Sequence, residues 1–90
     1  MEKIFKYTVP MESHPVIMLP KFADILTVQV QNGWPCIWAV IDENQPVQAT
    51  HFIMYATGQE HNEMSGTYIG TFQLVDGTVW HLFLKAYSTL

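Results

Sequence analysis

Apolar and polar positions alternate with period two over most of this chain, and the clearest instance occurs twice. Thr27-Val28-Gln29-Val30-Gln31-Asn32-Gly33 is echoed by Thr71-Phe72-Gln73-Leu74-Val75-Asp76-Gly77. Each copy reads Thr, apolar, Gln, apolar, any residue, then Asn-Gly or Asp-Gly. Alternation ending in such a dipeptide is the strongest short-range signal for a β-hairpin. The two copies lie 44 residues apart. That offset reflects either two quasi-equivalent halves or only the likeness of any two such hairpins, and the second is the simpler reading.

The same alternation predicts strands over 2–9, 16–19, 24–31, 34–42, 47–57, 68–75 and 78–84. Pro10, Pro15 and Pro20 bound the first two, since proline cannot donate to a ladder. Helical periodicity is weak, and only Lys21 to Ile25 suggests one helical turn. The polar stretch 58–67 reads as a mobile surface loop. Short strands with regularly spaced turn signals predict an all-β fold, an antiparallel β-sandwich or small barrel.

Hairpin register sorts the side chains. A two-residue loop at Asn32-Gly33 sets Gln31 opposite Trp34, Gln29 opposite Cys36 and Thr27 opposite Trp38. The other face then carries Leu26, Val28 and Val30 against Pro35, Ile37 and Ala39, which is apolar throughout and must be core. The same rule at Asp76-Gly77 sets Gln73 opposite Trp80 and Thr71 opposite Leu82. Tyr68, Phe72, Leu74, Val79, His81 and Phe83 share the opposite face. Val28, Val30, Ile37, Phe72 and Leu74 are therefore expected in the core. Gln29, Gln31, Trp34, Trp38, Gln73 and Trp80 form an aromatic and amide surface and are the candidate ligand-binding residues. Tryptophan supplies large contact area with few rotors and is enriched at binding hot spots. The competing reading is that the tryptophans fill the gap between two sheets. Pro35 marks its strand end as an edge, a bulge or part of the loop.

Composition narrows the function classes. The chain has 90 residues, 49% of them hydrophobic, so one domain spanning 1–90 with its own core is expected. There are four basic residues, Lys3, Lys6, Lys21 and Lys85, no arginine, and a net charge of −4. Nucleic-acid binding needs a clustered basic face, so no nucleic-acid partner is expected. Bidentate capture of phosphate by guanidinium is excluded. The single cysteine, Cys36, cannot form an intrachain disulfide and reads as a packed thiol in a reducing setting. No signal-peptide pattern and no long apolar run is seen, so no membrane association is expected.

No catalytic or metal constellation is recognisable. His14, His51, His61 and His81 show no HxH or HExxH spacing, and His51 and His81 read as structural. His61 with Glu60 and Glu63 is a weak metal candidate, because flexible loops rarely preorganise ligands. None of Ser13, Ser65 and Ser88 lies in G-x-S-x-G. Neither a cofactor nor an enzymatic activity is expected, although His51, His61 or His81 as acid or base keeps a signal-degrading enzyme as a third option.

The run from Ile25 to Asp42, the opening Lys3-Ile4-Phe5-Lys6-Tyr7 and the stretch Tyr68 to Leu74 resemble a family of small proteins encoded by bacteriophages and prophages. Thr57-Gly58 also fits, with His61 following two residues later than the resemblance implies, and the loop 58–67 matches poorly. The resemblance implies a phage accessory protein in the host bacterial cytoplasm, of a kind that often counters host defence. The expected function is sequestration of a small nucleotide-type ligand by a non-enzymatic homo-oligomer. The alternative is inhibition of a host defence protein through an edge strand or the tryptophan patch.

Overall fold

The computed structural model describes residues 1–85; Ser88 lies outside them. Seven strands follow one another: β1 Glu2–Thr8, β2 Val16–Pro20, β3 Asp24–Gln31, β4 Trp34–Asp42, β5 Val47–Ala56, β6 Thr67–Gln73 and β7 Val79–Leu84. They build two antiparallel sheets, ordered β1-β4-β3 and β2-β5-β7-β6. The sheets pack on each other as a sandwich, so the all-β expectation holds. Ile37, Phe52, Leu82, Leu19 and Val9 are wholly buried between them. Val28 and Phe72 join that core, with Val30 and Leu74 packed at its margin.

The first hairpin forms as the sequence dictates. Asn32 and Gly33 both have positive φ, 53° and 79°, the signature of a type I′ turn. Gln31 pairs with Trp34, Gln29 with Cys36 and Thr27 with Trp38. One residue departs: a bulge between Ile25 and Thr27 ejects Leu26, which is 49% exposed. Ile25 takes the inward place opposite Ala39 instead.

The second hairpin corrects its expected register. Gly77 donates its N–H to Leu74 O and Leu74 donates to Thr78 O, both at 2.9 Å, with Gly77 at φ +88°. This is a three-residue loop closed by a glycine bulge, not a two-residue turn. The extra residue slides the ladder by one, so Phe72 pairs with Trp80, Thr71 with His81 and Gln73 with Val79. A slip of one exchanges the faces. Trp80 therefore shares the inner face with Phe72, while His81 shares the outer face with Thr71 and Gln73.

The expected helical turn at Lys21 to Ile25 is a β-turn. Ala23 donates to Pro20 O at 3.2 Å, and Phe22 has φ 69°, as the third position of a type II turn requires. No residue among those described is helical.

Strands β1, β3 and β4 form a unit in the order β1-β4-β3, and β5, β6 and β7 repeat it as β5-β7-β6. Each unit carries one bulge in the second of its strands along the sequence, at Leu26 in β3 and at Ile69 in β6. The recurring hairpin motif thus marks two quasi-equivalent halves, against the simpler reading. The halves meet where Gly70 of β6 lies against Val28 of β3: a Cβ on Gly70 would sit 2.8 Å from Val28 Cγ1. Only β2 breaks the correspondence, since it leaves the first half to pair with β5 of the second.

Candidate functional site

Each half contains a connector, residues 9–23 and 57–66, and the two approach each other at one end of the sandwich. Between them lies a cleft of about 570 Å³. The first connector is fastened along β5, with Ser13 O accepting from Met54 N–H and Pro15 O from Phe52 N–H, each at 2.9 Å. It contributes Met11, Glu12 and Ser13 to the wall. The second begins with a turn in which Gln59 N–H donates to Ala56 O and Gln59 Oε1 accepts from Ala56 N–H, both at 3.1 Å. That pairing occupies the carbonyl end of the Gln59 side chain, and Gln59 also lines the cleft. Met54 and the half-buried Trp80 complete the lining.

The Asp-Gly turn fixes Trp80. Its Nε1–H donates to Thr78 Oγ1 at 2.8 Å, and that hydroxyl donates to Asp76 Oδ1 at 2.6 Å. Thr78 N–H also donates to Asp76, at 2.9 Å. The Thr78 hydroxyl and then its backbone N–H hold the Asp76 carboxyl below the usual carboxylate range, because both favour its charged form. With its N–H engaged, the indole has its π face left to offer. Among the described residues Glu12 is the one charged residue in the lining, and no lysine lines it. Such a site suits flat, neutral or cationic groups and disfavours phosphate.

Behind the Ala56–Gln59 turn, on the outer face of β5-β7-β6, lies a second cavity of about 300 Å³ walled by Tyr55, Met64, Tyr68, His81 and Phe83. His81 is held between two threonines, Nε2 at 2.7 Å from Thr57 Oγ1 and Nδ1 at 2.9 Å from Thr71 Oγ1. Tyr68 Oη continues the chain at 2.7 Å from Thr71 Oγ1. Protons can redistribute along this chain, but both imidazole nitrogens are already engaged. The loop 58–67 is exposed along its length, as expected of a surface loop, and touches Tyr55 at two points. Ser65 N–H donates to Tyr55 Oη at 3.3 Å, and His61 meets the Tyr55 ring edge-on at 4.6 Å. Among the described residues no group of three or more His, Cys, Asp or Glu converges as metal ligands would, and Glu60, His61 and Glu63 are not brought together in one.

The six sequence-derived candidates fall in three places. Gln29, Gln31, Trp34 and Trp38 share the outer face of β1-β4-β3, as the first hairpin's register requires. Trp34 is 47% exposed there, and Lys6 Nζ reaches across to Gln31 Oε1 at 2.5 Å. Cys36 is buried, and its thiol donates to Trp34 O at 3.6 Å. Trp80 faces the cleft, and Gln73 stands exposed on the outer face of the other sheet. Sequence reasoning missed Glu12, Ser13, Met54 and Gln59. Residues 10–15 carry no strand or turn pattern, and their placement rests on non-local bonds to β5.

No curated protein and no solved structure matches this chain. A family model matches residues 1–89, and the chain belongs to that family, a domain of unknown function (DUF7352).

Proposed function

We propose that this is a binding protein, not an enzyme, and that the cleft between its connectors holds a flat ligand of nucleobase or nucleoside size. The observation that carries this reading is Trp80, pinned through Thr78 and Asp76 so that its ring lines a cleft of about 570 Å³. Small-ligand sites commonly enclose about 300–1,000 Å³, mostly apolar with a few placed polar groups. Met11, Met54 and Trp80 supply the apolar part, and Glu12, Ser13 and the Gln59 amide supply the polar groups. Aromatic stacking on a base is worth about 1–3 kcal/mol. A nucleotide-type ligand would be held by its base, with its phosphates outside. Following the resemblance to phage and prophage proteins, the setting we infer is the host bacterial cytoplasm, where sequestering a nucleotide-derived signal counters a host defence.

Calorimetry against bases, nucleosides, mononucleotides and cyclic dinucleotides tests the reading. Bases and nucleosides are expected to bind in the micromolar range, with no gain from added phosphate. Gln59→Ala removes a hydrogen bond worth about 1 kcal/mol and is expected to weaken binding roughly fivefold to tenfold. Silence across the panel, or binding untouched by both Gln59→Ala and Trp80→Phe, would rule the cleft out.

The exposed Trp34 beside Lys6 and Gln31 favours a second reading, a host-protein inhibitor acting through that face. Capture of one stoichiometric partner from host lysate, lost in a folded Trp34→Ala variant, is its expected result.

A further inference from the structure

In the second half of the molecule, β5 pairs with β7 along 52–56, and its other edge is covered by β2 along 47–51 and by the connector beyond it, where Phe52 N–H donates to Pro15 O and Met54 N–H to Ser13 O. Strand β1 occupies the equivalent place in the first half. It pairs with β4 along one edge, and no strand among the described residues lies on the other. The outer edge of the first strand is thus covered in one half, by β2 and the connector, and open among the described residues in the other.

The open edge is also the least guarded. Strand β2 is only five residues long and ends at Pro20. Bulges interrupt β3 and β6, and those two edges approach each other at Val28 and Gly70. Strand β1 runs for seven residues with neither proline nor bulge. Short strands, prolines and bulges are the usual means of blocking edge pairing. Lysine is another, but Lys3 is ion-paired with Glu43 within the chain, and Lys6 shares its strand face with the opposite charge of Glu2. Apolar side chains are bare on both faces of β1, with Ile4 60% and Phe5 40% exposed.

We infer that β1 pairs antiparallel with β1 of a second copy, joining two three-stranded sheets into one continuous sheet about a two-fold axis. In such a pair, opposed residues point to the same side of the sheet, so the axis must pass through a residue and not between two. With the axis at Ile4, Glu2 faces the partner's Lys6 and Lys6 faces the partner's Glu2. Ile4 then meets its own copy on that face. On the other face Lys3 lies opposite Phe5, reproducing between copies the ammonium–ring pairing already present within the chain at 5.8 Å. The strand's charge pattern is therefore complementary to itself, as an isologous interface requires.

Charge reversal tests this on the full chain, because Glu2 and Lys6 are exposed and their replacement leaves the core intact. Native mass spectrometry and sedimentation velocity are expected to find a dimer for the unaltered protein. Glu2→Lys alone sets lysine against lysine, and Lys6→Glu alone sets glutamate against glutamate. Each is expected to weaken self-association about tenfold or more while the dissociated protomer keeps the parent's far-UV dichroism. Mixing the two variants restores both ion pairs, so a heterodimer is expected. A parent protein that stays monomeric at high micromolar concentration overturns the proposal, as do single variants that dimerise as tightly as the parent.

Discussion

The two halves of this molecule share a strand order, a bulged strand and a hairpin motif, yet they are completed differently. In the second half the connector 57–66 folds back over its own sheet, tying Ser65 and His61 to Tyr55. Its outer face is further laced by the Thr57–His81–Thr71–Tyr68 chain, and β2 covers the edge of β5. In the first half the connector leaves its own sheet to supply β2 elsewhere. The outer face holding Trp34 and Trp38 and the edge of β1 are consequently left open among the described residues. A duplicated framework fixes the fold, and the divergent connectors decide which surfaces remain for partners. They also create the cleft, which exists only where the two connectors approach.

If the halves are one cooperative unit, damage to either must register in both. Ile37 and Leu82 are wholly buried on the central strands of their respective halves. Truncating either to alanine is expected to cost about 2–5 kcal/mol. Chemical denaturation followed by far-UV dichroism and by tryptophan emission should show one shared transition in both variants. Two separated transitions would mean that each half folds alone.

The seam between the halves gives the next effect. Gly70→Ala brings a Cβ within 2.8 Å of Val28 Cγ1, and crowding of this kind costs about 1–3 kcal/mol. Val28→Ala removes the obstructing methyl groups. The double variant should therefore lose less stability than the sum of the two single ones. Strict additivity in a double-mutant cycle would mean that the seam does not couple the halves.

The turns come third and separate local from long-range causes. Gly33 and Gly77 both need positive φ, and a Cβ on either would meet nothing within 4 Å. Gly33→Ala and Gly77→Ala should each cost only the left-handed penalty, about 1–2 kcal/mol, measured as a lowered denaturation midpoint at unchanged slope. A cost well above that at one turn would show that its loop does more than reverse the chain.

These glycines also show where sequence reasoning succeeds and stops. Asn32-Gly33 demands a type I′ turn, and from that alone the pairing of Thr27 with Trp38 and the outward face of Gln29, Gln31 and Trp34 follow. Asp76-Gly77 looks the same in sequence, but the Asp76 carboxylate binds both groups of Thr78 and a three-residue loop forms. One added residue turned Trp80 inward and His81 outward. Neither the Leu26 bulge nor the course of Met11–Ser13 is legible locally, because sheet packing and non-local bonds to β5 set them. The duplication was visible as a motif, but its meaning required the strand order.

The smallest effect follows from the same difference between the turns. Asp76 has a carboxyl held below its ordinary range, whereas its counterpart Asn32 does not titrate. A group whose pKa is depressed by folding contributes stability above its unfolded pKa, near 3.9 for aspartate, and loses it as pH falls through the lower folded value. The second hairpin should thus loosen in acid through this group, and the first has no equivalent loss at its turn. Because Trp80 Nε1–H donates to the hydroxyl that Asp76 accepts from, its indole resonance should report the titration. An NMR pH series is expected to shift the Trp80 indole signal with an inflection below the ordinary aspartate value. The indoles of Trp34 and Trp38 should not show that inflection, and Asp76→Asn should abolish it. A Trp80 signal that ignores pH in the parent protein would break the link from turn to cleft.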